Sequence, residues 1–221
     1  MKDFVNTVPA AAQMVNATCV SFLGNEAATN RILVLGNSIT RHGPKDDIGW
    51  PYDHGMAASA PEKDYVHRLY AKLTESGREV YMRIRQAADW ERGMREADRL
   101  SSFEGEKEFG ADLILFRLGE NVPKEDVCLL SDAIRELMAY LARAGTKVLF
   151  TTCFWHHPER NDAIRAAAAS LAAPVIDITC ESESQMAIGL FAHSGVAGHP
   201  GDAGMEMIAH RLFGAIQNQM D

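Results

Sequence analysis

From Arg31 onward the chain alternates short apolar runs with longer segments whose apolar residues recur about every 3.6 positions, and few architectures accommodate that pattern. Alternating strand-like and helix-like segments specify an α/β fold, a parallel sheet covered by helices on both faces. Strands are expected near 31–36, 79–85, 111–118, 146–152 and 174–178. Helices are expected at Glu62–Ser76, Trp90–Ser102, Lys124–Ala144, Glu159–Ala172 and Asp202–Gln219, and Gly77, Gly110 and Gly145 mark helix-to-strand junctions. The stretch Arg41–Ala60 holds three glycines, two prolines, Trp50, Tyr52 and two histidines, and is too long for a simple connector. Loops of that kind usually cover a site.

At 221 residues and 47% hydrophobic content the chain supports one sizeable core, so 31–221 is expected as a single domain with 1–30 as an N-terminal extension packing on it. A net charge of −8 with scattered Lys and Arg argues against nucleic-acid binding. Cys19, Cys128, Cys153 and Cys180 are widely spaced, which favours buried thiols over disulfides or a zinc site and points to a reducing, cytoplasmic setting. The opening Met1-Lys2-Asp3-Phe4 is a poor signal peptide, and no run is long enough to span a bilayer.

In an open parallel sheet, ligands bind beyond the carboxyl ends of the strands. Ser38 follows the first expected strand, Gly119-Glu120-Asn121 the third and Cys153-Phe154-Trp155-His156-His157 the fourth, while His199 precedes the last helix. Acyl transfer needs a nucleophile, a base and donors aimed at a developing oxyanion. Ser38 can supply the first and His199 the second, and the Asn121 amide with the Ser38 N–H could cradle the oxyanion. Glu91 and Asp89 either hydrogen-bond the Ser38 turn or start a helix as first-turn acids, the reading preferred here, and Glu120 fits a structural acceptor for neighbouring loop amides.

Gly36-Asn37-Ser38-Ile39-Thr40, Gly119-Glu120-Asn121 and His199-Pro200-Gly201-Asp202-Ala203-Gly204-Met205 resemble the first, third and fifth sequence blocks of the SGNH, or GDSL-type, hydrolase superfamily. The resemblance implies a flavodoxin-like three-layer αβα sandwich with a five-stranded parallel sheet of order 2-1-3-4-5, and lipase-like or esterase acyl hydrolysis without metal or cofactor. It implies Ser38 as nucleophile and His199 as base, with an oxyanion hole built from Ser38, Ala88 and Asn121. Three positions depart from the family pattern. Asn37 replaces the usual aspartate, Ala88 stands where a glycine N–H is usual, and Val196 occupies the place of the triad acid. The His199 ring is then oriented by a backbone carbonyl in Gly195–Gly198 or by a nearby residue, with Asp202 and His193 nearest in sequence; Asp202 also fits the N-cap of the last helix. Without a buried carboxylate, the imidazole is expected to titrate near its ordinary value of about 6.5.

Trp50, Tyr52, Trp155 and His156 are expected to line a substrate pocket, which suits small O-acyl groups on carbohydrate or other short-chain acyl esters. Adjacent histidines on an extended segment point to opposite sides, so His156-His157 does not make a metal site. The expected partner is a small-molecule ester, and the residues leave the oligomeric state open. The alternative from another class is a ligand-binding protein on the same scaffold with weak or lost catalysis. A nucleotide-binding module lacks its glycine-rich loop.

Overall fold

The computed structural model describes residues 19–220, so the first eighteen residues of the expected N-terminal extension lie outside the described residues. Six strands form one sheet: β1 (Val20–Gly24), β2 (Asn30–Gly36), β3 (Val80–Gln86), β4 (Leu113–Arg117), β5 (Lys147–Thr151) and β6 (Val175–Ile176). Seven α-helices are described: α1 (Tyr65–Glu75), α2 (Ala88–Arg92), α3 (Glu104–Phe109), α4 (Val127–Leu141), α5 (Pro158–Ser170), α6 (Ser194–Ala197) and α7 (Asp202–Met220). The strand order is β1-β3-β2-β4-β5-β6. The five parallel strands thus follow the expected 2-1-3-4-5 order, and the added one is β1, antiparallel to β3 with Phe22 opposite Arg83. The five-strand expectation fails there because β1 is only partly covered. Phe22 lies about half exposed across the Tyr81 ring, so no clean alternation marks the segment.

Period-two geometry sends successive residues of β2 and β4 to opposite faces. Ile32, Val34, Leu113 and Leu115 pack with Leu69 and Leu73 of α1 and with Met205, Ile208 and Leu212 of α7. Leu33, Leu35, Ile114 and Phe116 pack with Trp90, Ile134, Leu137 and Ile164 on the other face. Burial on both faces explains why these strands read as unbroken apolar runs. The helix expected over Trp90–Ser102 is instead the short α2, turns and a 3₁₀ segment at Ser101–Phe103 before α3. Gly93 closes α2 after Arg92, and glycine is a poor helix propagator. The long Arg41–Ala60 connection folds on itself, with bridges His42 to His54 and Lys45 to Trp50.

The four cysteines are unpaired, but only Cys153 is buried, and Cys128 is exposed on α4. Among the described residues, no helix is long and apolar enough to cross a membrane.

At the end of β2 the chain must turn within a bond or two of its own next turn. A Cβ on Gly36 would stand 1.7 Å from Thr40 Oγ1, and Thr40 is itself fixed by a 2.7 Å hydrogen bond to the Tyr65 hydroxyl. Gly36→Ala should therefore cost about 2–3 kcal/mol by overpacking, read by chemical denaturation. A loss below about 0.5 kcal/mol would mean that the turn relaxes freely.

Candidate active site

Beyond Gly36 the chain bends through Asn37 and Ser38, with the Thr40 and Arg41 N–H groups donating to the Asn37 carbonyl at 2.9 and 3.0 Å. This bend lifts Ser38, half-buried, out of the sheet at its carboxyl edge, and Met56 N–H donates to the Ser38 carbonyl at 2.9 Å. Ser38 Oγ lies 2.8 Å from His199 Nε2. The two residues are 161 positions apart in sequence and meet because α7 begins just after His199 at the same edge.

His199 Nδ1 lies 2.6 Å from the Gly195 carbonyl oxygen. A carbonyl can only accept, so Nδ1 carries the proton and Nε2 presents its lone pair to Ser38. The carbonyl is available because α6 ends there. The His199 N–H donates to Val196 O, one residue short of the α-helical partner, and the Gly195 oxygen is left over like any last-turn carbonyl. Of the two ways of orienting the ring, the structure contains the backbone one. Asp202 is a correction: its carboxylate accepts from Ser59 N–H at 2.9 Å and Ser59 Oγ at 2.7 Å, which ties the start of α7 to the loop before α1 and away from the imidazole. Val196 is fully buried with Trp50, Met56, Ala57 and Ala187, an apolar setting closed to a carboxylate.

Burial lowers the His199 pKa to about 4, helped by the positive charges of Arg117 and His42 and opposed by the Gly195 hydrogen bond and Glu120. The expectation of an ordinary imidazole is corrected accordingly. No carboxylate offsets the desolvation at Nδ1.

The other candidate residues fall into two groups. Asn121 is brought to the same edge, its Nδ2 donating to Glu91 Oε2 at 2.6 Å while Arg92 donates to its Oδ1 at 3.1 Å, so the amide orientation is fixed from both ends. One Nδ2 hydrogen remains for another acceptor. Ala88 opens α2, and its N–H meets Gln86 Oε1 at 3.3 Å, a long bond. Among the described residues the Ser38 N–H has no acceptor. Trp155 sets the edge of its ring against His199, 5.2 Å between centroids, and its Nε1 donates to Gly198 O at 2.9 Å, so it braces the histidine loop. His156 is exposed. Trp50 corrects the pocket reading: it is fully buried, donates to His42 O and supports the loop, while the half-exposed Tyr52 packs on Trp50 and His54. Among the described residues no three His, Cys, Asp or Glu side chains group as a metal site.

Sequence reasoning offered Glu91 to the Ser38 turn only as the lesser alternative and Glu120 as an acceptor for loop amides, and it missed Arg117, which joins them into one polar frame. Arg117, fully buried at the end of β4, donates to Glu120 Oε1 at 2.6 Å and to Asn37 Oδ1 at 3.0 Å. Asn37 Nδ2 in turn donates to Glu120 Oε2 at 2.7 Å and faces both Glu91 oxygens at 3.3 Å. Glu91, fully buried on α2, also accepts from Gly119 N–H at 2.6 Å and Asn121 N–H at 3.2 Å. Burial and the Glu120 charge raise the Glu91 pKa. For Glu120 burial pushes upward, but Arg117 and the hydrogen bonds outweigh it and hold the pKa low. An aspartate at 37 would add a third carboxylate to a set with one buried cation, whereas the Asn37 amide donates to the two already present. The readable signal was Arg117 itself, a charge in the run Leu113–Leu118.

No family model and no curated protein matches the chain. Solved structures do resemble it. LAE5, an alpha/beta hydrolase enzyme from the metagenome of Lake Arreo, Spain, superposes with TM-score 0.58 at 18% identity, covering 86% of this chain and 96% of that one. A candidate GDSL-like lipase from Parabacteroides merdae gives TM-score 0.54 at 18% identity over 87% and 98% of the two chains. A family two carbohydrate esterase from Cellvibrio japonicus gives 0.53 at 14% identity over 88% of this chain and 62% of that one.

Glu91 serves three segments at once, so its substitution tests the frame. Glu91→Gln turns one acceptor oxygen into a donor facing donors, and should lower stability by about 2–3 kcal/mol in denaturant titration. A neutral result would mean that Glu91 is already protonated and replaceable. The likenesses, together with the sheet order and the three sequence blocks, give the chain the SGNH, or GDSL-type, hydrolase fold.

Proposed function

We propose that the protein is a serine-dependent, metal-independent hydrolase of carboxylic esters. The observation that carries this reading is the 2.8 Å contact between Ser38 Oγ and an imidazole nitrogen whose lone pair is directed at it by the Gly195 carbonyl. His199 Nε2 takes the Ser38 proton as Oγ attacks the ester carbonyl carbon, and the resulting oxyanion meets the Ser38 and Ala88 N–H groups and the remaining Asn121 Nδ2 hydrogen. Collapse expels the alcohol, which takes the proton from the imidazolium. Water then gives a proton to Nε2 as its oxygen attacks the acyl-serine, and release of the carboxylic acid restores Ser38.

The same geometry makes the base weak. The imidazolium forms beside a neutral carbonyl and within the field of Arg117, so proton transfer is less favoured than with a carboxylate partner, and turnover is expected to be slow. With Trp50 withdrawn into the core one expected stacking surface for a sugar is lost, so short-chain acyl esters are the first substrates to screen, with carbohydrate esters, the class for which the Cellvibrio japonicus protein is named, beside them.

A sulfonyl fluoride should label Ser38 alone, and Ser38→Ala should abolish 4-nitrophenyl ester turnover; peptide mass spectrometry that finds the adduct on another serine with Ser38 free would sink the nucleophile assignment. His199→Ala should cost on the order of 10³ in kcat, while Asp202→Asn should stay within about tenfold because its partner is Ser59.

The pH profile follows from the depressed base. His199 acts when neutral, so kcat/KM should fall about tenfold per unit only below its pKa of about 4 and lie flat from about pH 5.5 to 8. An acid limb centred at about 6.5 or above would show that a carboxylate or solvent supports the imidazole in solution.

A further inference from the structure

We infer that the cavity beside the nucleophile turn receives an anionic group of the substrate, a carboxylate in its simplest form, and so sets specificity. This rests on the ester-hydrolase reading. The cavity, about 240 Å³, is lined by Arg41, His42, Lys45, Gln86 and Cys19 together with Gly43 and Pro44, and no Asp or Glu among the described residues lines it. In a chain of net charge −8, a concave wall with only cationic and neutral groups is unusual.

Two of its lining residues are hydrogen-bonded to residues of the candidate active site. Arg41 N–H donates to the Asn37 carbonyl within the nucleophile turn. Gln86 ends β3 opposite Gly36, and its side chain accepts from the Ala88 N–H. Arg41 is paired with Asp53 at 2.7 Å, so the charge the cavity offers a ligand is that of Lys45. Lys45 meets Asp47 at 3.6 Å with both side chains largely exposed, a pairing too weak to cancel its charge. Arg92, outside the lining, adds a second cation on the Asn121 side, where its hydrogen bond goes to a neutral amide oxygen. His42 registers this field: burial first, then Lys45 and Arg92, lower its pKa, against its bond to Gly43 and the charge of Asp53. Cations converging on a recess focus potential and draw in a compact anion.

The test compares esters that differ only in charge. The acyl arm sets 4-nitrophenyl hydrogen adipate against 4-nitrophenyl hexanoate; the alcohol arm sets 4-acetoxybenzoate against 4-acetoxybenzamide. Rates are corrected with Ser38→Ala. One arm should favour the anion by about tenfold in kcat/KM at low ionic strength, and about 500 mM sodium chloride should collapse the ratio. Lys45→Glu, an exposed change, should bring that ratio to one or below. Ser38-dependent turnover with equal efficiencies in both arms, or a preference that Lys45→Glu leaves intact, overturns the cavity and spares the esterase reading. If no ester turns over, the esterase reading fails instead. Calorimetric titration of adipate into wild type and Lys45→Glu then decides the cavity: binding lost in the variant supports it, and absence of binding in wild type overturns it.

Discussion

A guanidinium placed at the carboxyl end of the central strand, shut off from water, sets the terms for everything around it. Uncompensated, buried Arg117 would cost several kcal/mol, and Glu120 answers it three residues later at 2.6 Å. Glu120 alone has more oxygen lone pairs than Arg117 fills, so Asn37 and the Phe154 N–H complete it. Asn37 then reaches Glu91, and Glu91 gathers Gly119 and Asn121. The Ser38 turn, α2 and the loop after β4 are thus fixed to one another by directional bonds in a dry setting, where each bond holds position better than apolar contact does.

The histidine side of the site is held by different means. Val196 and Ala187 anchor it to the apolar cluster around Trp50, Ala187 N–H donates to the His199 carbonyl, and Trp155 closes over the ring. Serine and histidine therefore come from two differently stabilised halves whose meeting is the 2.8 Å contact itself. Mild denaturant should loosen the apolar half before the ionic one, because it weakens apolar burial directly.

Much of this was legible in the chain. Runs such as Ile32–Leu35 and Leu113–Phe116 announced a doubly covered sheet because both of their faces are buried. Ser38, Asn121 and His199 were legible because each lies at a strand or helix end, where polar residues break an apolar pattern. What escaped was tertiary in origin. β1 carries no strong periodicity because none of its residues is fully buried and Phe22 stands on its exposed side. Trp50 looked like an exposed stacking surface because its loop is rich in glycine and proline, yet the bridge from Lys45 folds it inward. Glu91 resembled any acid in a first helical turn, and only its distance to Asn37 shows otherwise. The depressed basicity of His199 comes from burial and from Arg117, which are properties of the fold and not of the neighbouring sequence.

The partner of the imidazole is a peptide oxygen, and every amino acid has one. On the mechanism proposed, a saturation scan of the chain would therefore find two side chains indispensable for proton transfer and no third, because no substitution at 195 deletes a carbonyl. Sensitivity would move to residues that shape the last turn of α6. Val196 is the foremost, since its burial sets where that oxygen points. A residue with no chemistry of its own then inherits the constraint that an acid would carry elsewhere, and it tolerates changes of polarity less than a surface acid tolerates loss of charge.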